Sequence, residues 1–150
     1  MSSGTAVAVA LTATAGLAGA VQAAVMGELG ERVGIVPALT FSAAISVLCA
    51  GIALLIWERS FGGVRAALHE PAWLWIGGLM SIYIILAITV GPPRIGVAAT
   101  IGIVIAGNLV MAALIDQYGL LGQDQVAITW YRLLGLALLA AGAALSLYRP

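Results

Sequence analysis

The sequence predicts an all-α integral membrane protein with five transmembrane helices per chain, in a single domain over residues 1–150. Composition is the first ground: 63% of the residues are hydrophobic, only 8% are charged, and the mean hydropathy is +1.13. Soluble domains hold about 45–50% apolar and about 25% charged residues. The second ground is pattern. The apolar residues fall in five runs, near 5–27, 36–57, 72–90, 95–115 and 129–148. Each is close to the roughly 20 residues of helix that cross a hydrocarbon core of about 30 Å.

The sparse polar residues exclude several functions. All six basic residues are Arg. Without Lys there is neither a Walker-type phosphate loop nor a Schiff-base amine, so ATP-driven pumping by this chain alone is not expected. A net charge of +0 gives no reason to expect a nucleic-acid partner. Cys49 lies inside a span, cannot form an internal disulfide, and reads as a buried core thiol. His69 is the only histidine and has no cysteine or histidine partner, so no metal site is expected. No cofactor is implied, and no nucleophile–base–acid set can be assembled, so the chain does not read as an enzyme.

The first run, from Thr5 to Gly27, has no Lys or Arg before it, and so reads as a retained span and not a signal peptide. Gly16 and Gly19 leave room for a close neighbour, and Gln22 lies in its last third. Glu28–Gly34 reads as a short polar turn in which Glu28 and Arg32 are spaced to pair. Pro37 suits the first turn of the second span. The hydroxyls of Thr40, Ser42 and Ser46 on that span ordinarily bond back to their own helix. Ser42 joins the substrate-binding candidates below.

Glu58–Pro71 is hydrophilic, and Val64–Leu68 within it suits a short surface helix. Trp57, Phe61, Trp73 and Trp75 flank it as an interfacial belt would. In the third span Tyr83 falls near mid-membrane, where a phenol needs a partner or a ligand. Gly91-Pro92-Pro93-Arg94 reads as a tight connection to the fourth span, Ile95–Ile115. That span carries a small-residue stripe of Ala98, Gly102 and Ala106, then Gly107 and the amide of Asn108. An amide there should face protein or a water-filled cavity. After the loop Asp116–Ile128, Thr129 is a plausible N-cap for the fifth span, with Trp130, Tyr131 and Tyr148 at its two membrane surfaces.

Five spans put the termini on opposite sides. The N-terminal side then receives Arg59, Arg65 and Arg132, and the other side Arg32, Arg94 and Arg149. Cytoplasmic loops normally hold the excess of basic residues, and that excess sets orientation. Here it is absent, so two copies can insert oppositely and pair head to tail. By helical rise Gln22 lies about 8 Å from one membrane face and Asn108 about 10 Å from the other. Inversion would then build two polar layers flanking a central pair of Tyr83 side chains, as in inverted-repeat transporters.

The chain resembles the five-helix, half-size branch of the drug/metabolite transporter superfamily, the YdcZ-type inner-membrane proteins. Three stretches carry the likeness: VQAAVMGELGERVG at 21–34, GGLMSIYIILAITVGPPRIG at 77–96 and AGNLVMAALIDQYGLLG at 106–122. On that match Gln22, Tyr83, Asn108, Asp116, Tyr118 and Gly119 occupy the family's motif positions. Met26 stands where the family often has Asn, Glu28 where it has a basic residue, and Gly107-Asn108 where it has Gly-Gln. The resemblance implies a multi-pass protein of the bacterial inner membrane. It also implies an antiparallel dimer, of identical copies or of oppositely oriented paralogues, that moves small organic solutes by alternating access. On that match Gln22, Tyr83 and Asn108 would line the substrate path; Ser42 is added as a candidate from its place on the second span, and Asp116 and Glu28, the acidic residues near span ends, are the coupling or gating candidates. A small dual-topology ion channel and an accessory subunit without transport of its own are the alternative classes.

Overall fold

Glycine sets the two tightest turns of this chain, at Gly34 and Gly96. The computed structural model describes residues 3–147, and these form six α-helices: α1 (Ser3–Val33), α2 (Ile35–Trp57), α3 (Gly62–Ala67), α4 (Ile76–Ile95), α5 (Val97–Tyr118) and α6 (Trp130–Ser146). A 3-10 turn at Ala72–Trp75 leads into α4, and another at Leu120–Gly122 follows α5. Four helical stretches among the described residues are long and apolar enough to cross a membrane: Gly4–Val33, Ile35–Trp57, Ala72–Ile95 and Val97–Tyr118. The fifth apolar helix, α6, has 17 residues, or about 26 Å of rise. Tyr148 and Arg149 lie outside the described residues.

Two expected turns are helix instead. Glu28–Val33 continues α1, because Glu, Leu and Arg are good helix formers and nothing before Gly34 stops them. Pro92 and Pro93 likewise lie inside α4, which runs on to Ile95. Proline removes the donors that Ile88 and Thr89 carbonyls would use, but does so next to the final turn, whose own carbonyls lack helical donors. The real connections are single residues. Gly34 (φ 93, ψ 156) joins α1 to α2, and Gly96 (φ 86, ψ 158) joins α4 to α5.

These two joints are copies of each other. Arg32-Val33-Gly34-Ile35 and Arg94-Ile95-Gly96-Val97 share one pattern at a spacing of 62 residues (96 − 34). The hydrogen bonds match as well. Gly34 N–H donates to Gly30 O at 3.0 Å and Ala38 N–H to Gly34 O at 3.1 Å; Gly96 N–H donates to Pro92 O at 2.9 Å and Thr100 N–H to Gly96 O at 3.0 Å. The α1–α2 and α4–α5 hairpins then pack reciprocally. A Cβ on Gly27 would stand 2.9 Å from Pro92 Cβ, and one on Gly30 would stand 2.6 Å from Thr89 Cγ2. Shifting by 62 residues turns Gly27 into Thr89 and Gly30 into Pro92, so each contact is the image of the other. Helix α1 also touches α5 as α4 touches α2. Helix α6 stands outside this internal repeat and, among the described helices, packs on α5 alone.

The packed core sits at the end of the molecule where both joints lie. Ala23, Met26, Ala38, Ile88, Thr89, Ala99 and Thr100 are buried there. Thr89 donates its hydroxyl to Ile85 O at 2.7 Å and Thr100 to Gly96 O at 2.8 Å, which satisfies both without a partner helix. Away from the joints the helices are uncovered: Leu17, Leu48, Leu79 and Tyr83 are all exposed. Cys49 is exposed too, against the expectation of a buried thiol, because the second half of α2 has little beside it within the chain. The accessible surface is 11019 Å² for 15.2 kDa, against about 7,100 Å² for a compact monomer of that mass.

At the opposite end, α3 occupies Gly62–Ala67, close to the short helix expected there. Trp75 Nε1 donates to Ala67 O at 3.3 Å and ties this helix to the start of α4. Trp57, Trp73 and Trp75 remain exposed around it.

Candidate functional site

Helix bounds relocate the candidate polar residues. Gln22 stands 11 residues before the end of α1 at Val33, Tyr83 stands 12 before the end of α4 at Ile95, and Asn108 stands 11 after the start of α5 at Val97. At 1.5 Å per residue all three lie about 17–18 Å from the joint end. The separate levels expected for Gln22 and Asn108 are therefore replaced by one level shared with Tyr83. The earlier depths assumed helices that stopped at Gly27 and Ile115, whereas α1 and α5 continue past both. Ser42 lies nearer the joints, about 11 Å along α2.

Gln22, Tyr83 and Asn108 are exposed and Ser42 is half-buried. None of the four side chains hydrogen-bonds to another described residue. Nor do they line the cavity at the joints (Gly30, Glu31, Ile35, Thr89, Val90, Pro93, Arg94) or the one between α5 and α6. Within one chain they form a polar belt at one depth, facing outward. An unpaired amide facing hydrocarbon costs several kcal/mol, on the order of 2–7. Among the described residues nothing satisfies the belt.

The packing glycines divide in the same way. Gly102 is in contact with α6, since a Cβ there would lie 3.5 Å from Ala143. Ala98 and Gly102 line a groove with Leu138, Gly142 and Ser146, and Ala106 is half-buried. Gly16, Gly19 and Gly107 meet nothing within 4 Å, so inside the protomer they support no contact.

Both coupling candidates already hold a guanidinium. Glu28 Oε1 accepts from Arg32 Nε at 2.6 Å, one turn along α1, with both side chains largely exposed. Asp116 Oδ2 accepts from Arg132 Nη1 at 2.9 Å across the α5–α6 hairpin. From sequence Arg132 is a topological charge alone. Its facing position follows once the two helices are antiparallel around a short loop.

That loop is pinned to the end of α5. Gly119, left-handed at φ 58, caps the helix through its N–H to Ile115 O. Val126 N–H donates to Asp116 O at 2.7 Å, Gln125 Nε2 to Gln117 O at 2.8 Å, and Ile128 N–H to Gln117 Oε1 at 2.7 Å. Gln117 thus uses both its backbone and its side chain to fold residues 123–128 back. Sequence reasoning missed it, together with Gly27, Gly30, Thr89, Gly91 and Thr100. The repeated Arg-x-Gly was the available signal for the packed end.

Long apolar helices, a polar belt with no partner among the described residues and charges collected at helix ends define a multi-pass integral membrane protein. Its family is also established. The chain belongs to the YdcZ branch of the drug/metabolite transporter group, described as "Putative inner membrane exporter, YdcZ", whose family model matches residues 7–145. Membership assigns it a transporter role in the inner membrane. No curated protein and no solved structure matches the chain.

Proposed function

We propose that two copies of this chain, oppositely oriented in the inner membrane, form one exporter that moves small organic solutes by alternating access. The observation that carries this reading is the polar belt. Gln22, Tyr83 and Asn108 share one depth and are exposed, and their side chains have no hydrogen-bond partner among the described residues. Tyr83 is about midway along Ala72–Ile95 and Asn108 about midway along Val97–Tyr118. A twofold axis in the membrane plane maps the midplane onto itself, so an inverted copy brings a second belt to the same depth. Balanced arginines support identical copies over an oppositely oriented paralogue, because neither end of the chain favours the cytoplasm.

A path lined by amides, a phenol and a hydroxyl, without fixed charge, suits neutral or weakly cationic solutes. Glu28 and Asp116 are each engaged by an arginine, so a proton-coupled cycle must break one of these pairs first. Facilitated export without coupling needs no such step. Substrate-dependent flux from proteoliposomes tests the reading directly. Asn108→Leu and Tyr83→Phe should each lower flux at least about tenfold, the effect of losing about 1.4 kcal/mol of solute contact, while the protein still inserts. Full flux in both variants would remove the belt from the path. Obligate co-purification with a larger partner, and no flux from the purified chain, would favour an accessory subunit.

A further inference from the structure

We propose that the groove between α5 and α6 holds one phospholipid whose headgroup is zwitterionic with a primary ammonium. The groove is a cavity of about 300 Å³ walled by Leu109, Ala112, Ala113, Gly135, Leu136 and Leu139. Asp116 and Arg132 stand at its mouth. At about 30 Å³ per water-sized group it holds roughly ten such groups, the scale of an acyl-chain segment. Away from Asp116 and Arg132 its walls are apolar, so an acyl chain seated there buries hydrocarbon against hydrocarbon.

The mouth supplies the headgroup chemistry. The ion pair uses only one guanidinium nitrogen, Arg132 Nη1, and one carboxylate oxygen, Asp116 Oδ2. Both side chains stay partly open, 47% for Arg132 and 33% for Asp116. The guanidinium therefore has free N–H groups for a phosphate, and the carboxylate has a free oxygen for an ammonium. Together they match a paired phosphate and amine better than an anionic headgroup, which Asp116 repels. A quaternary amine fits less well, because it has no N–H to donate. Depth agrees: exposed Trp130 and Tyr131 lie beside Arg132 at the start of α6, the residue types that collect at the headgroup level. Among the described helices α6 touches only α5, so none of the others seals the groove.

Native mass spectrometry of the detergent-solubilised protein, with phosphatidylethanolamine, phosphatidylcholine or phosphatidylglycerol added in turn, reads this site. Wild type should retain phosphatidylethanolamine about tenfold better than the other two. Asp116→Asn and Arg132→Gln should each abolish that preference. Both substitutions also cut the hairpin's ion pair, so Gly135→Leu serves as the variant that leaves it intact. No atom lies within 4 Å of where the Gly135 Cβ would sit, so the leucine has space and projects into the groove. It should remove the retained lipid while circular dichroism and unfolding temperature hold. Equal retention of all three lipids overturns the proposal, as does undiminished phosphatidylethanolamine on Gly135→Leu. Loss of dimer mass instead of lipid mass would give the groove to a second copy and overturn it equally. Solute flux is read separately, so failure here leaves the exporter reading standing and failure there leaves this one.

Discussion

Gly91 shows how a single hydrogen in place of a methyl sets the approach of two helices. A Cβ at this position would lie 2.5 Å from Thr100 Cγ2, 2.6 Å from its Oγ1 and 3.1 Å from its Cβ. Alanine would raise the helix propensity of α4 by about 0.5–1 kcal/mol, but overpacking a tight contact costs about 1–3 kcal/mol. The clash wins, and Gly91→Ala should destabilise the protein by about 1–2 kcal/mol in detergent unfolding. Thr100→Ala in the same chain removes the two nearest atoms and should recover most of that loss. Gly16 gives the opposite test. Nothing lies within 4 Å of its missing side chain, so within the protomer Gly16→Ala should be neutral or slightly stabilising. A clear destabilisation of the purified protein would place that face of α1 against a second copy. From sequence, Gly91 looked like one part of a Gly-Pro-Pro turn. The contact that explains it comes from Thr100, on the next helix, which no local pattern exposes.

At the scale of the element, the existence of the helices was legible and their ends were not. Apolar runs of about 20 residues are unambiguous in a chain with so few charges. Ends were inferred from polarity, and polarity misled twice. Glu28, Glu31 and Arg32 are charged yet helical, and Pro92-Pro93 lies within α4. What stops both helices is backbone geometry at Gly34 and Gly96, with φ of 93° and 86° and ψ near extended. L-residues scarcely reach that region, at a cost of about 1–3 kcal/mol. Gly34→Ala and Gly96→Ala should therefore each lower stability by about that amount, and by similar amounts, because the two joints are built alike. Thermal unfolding of the two variants side by side checks this. A loss at only one position would mean that the joints are not equivalent and that the 62-residue repeat lacks mechanical meaning. Thr129 does sit at the N-cap of α6, but its side chain makes no capping bond, so Thr129→Ala should change stability little.

For the whole molecule, the strongest fact is how little one chain covers. Its 11019 Å² of surface exceeds that of a compact body of equal mass by roughly half, and the uncovered faces carry Gln22, Tyr83 and Asn108. The sequence pointed to a partner through its arginines, but it could not show that the polar residues share one level, since that depended on the misjudged helix ends. The same balance makes the proposed dimer testable by charge alone. Gln123→Arg with Asp124→Arg adds cations to the exposed α5–α6 loop, and Glu31→Arg with Val33→Arg adds them at the joint end, where both residues are exposed. Positive residues hold their loop in the cytoplasm. Each doubly substituted chain should thus take a single orientation, the two opposite to each other, as read by C-terminal reporters active in one compartment only. Wild type should report from both. Expressed alone, either biased chain should lose export at least about tenfold, since functional pairs require both orientations. Expressed together, they should restore it. A biased chain that exports at the wild-type rate by itself would rule out the inverted pair, and the belt would then have to be completed by lipid, by a parallel copy or by another protein.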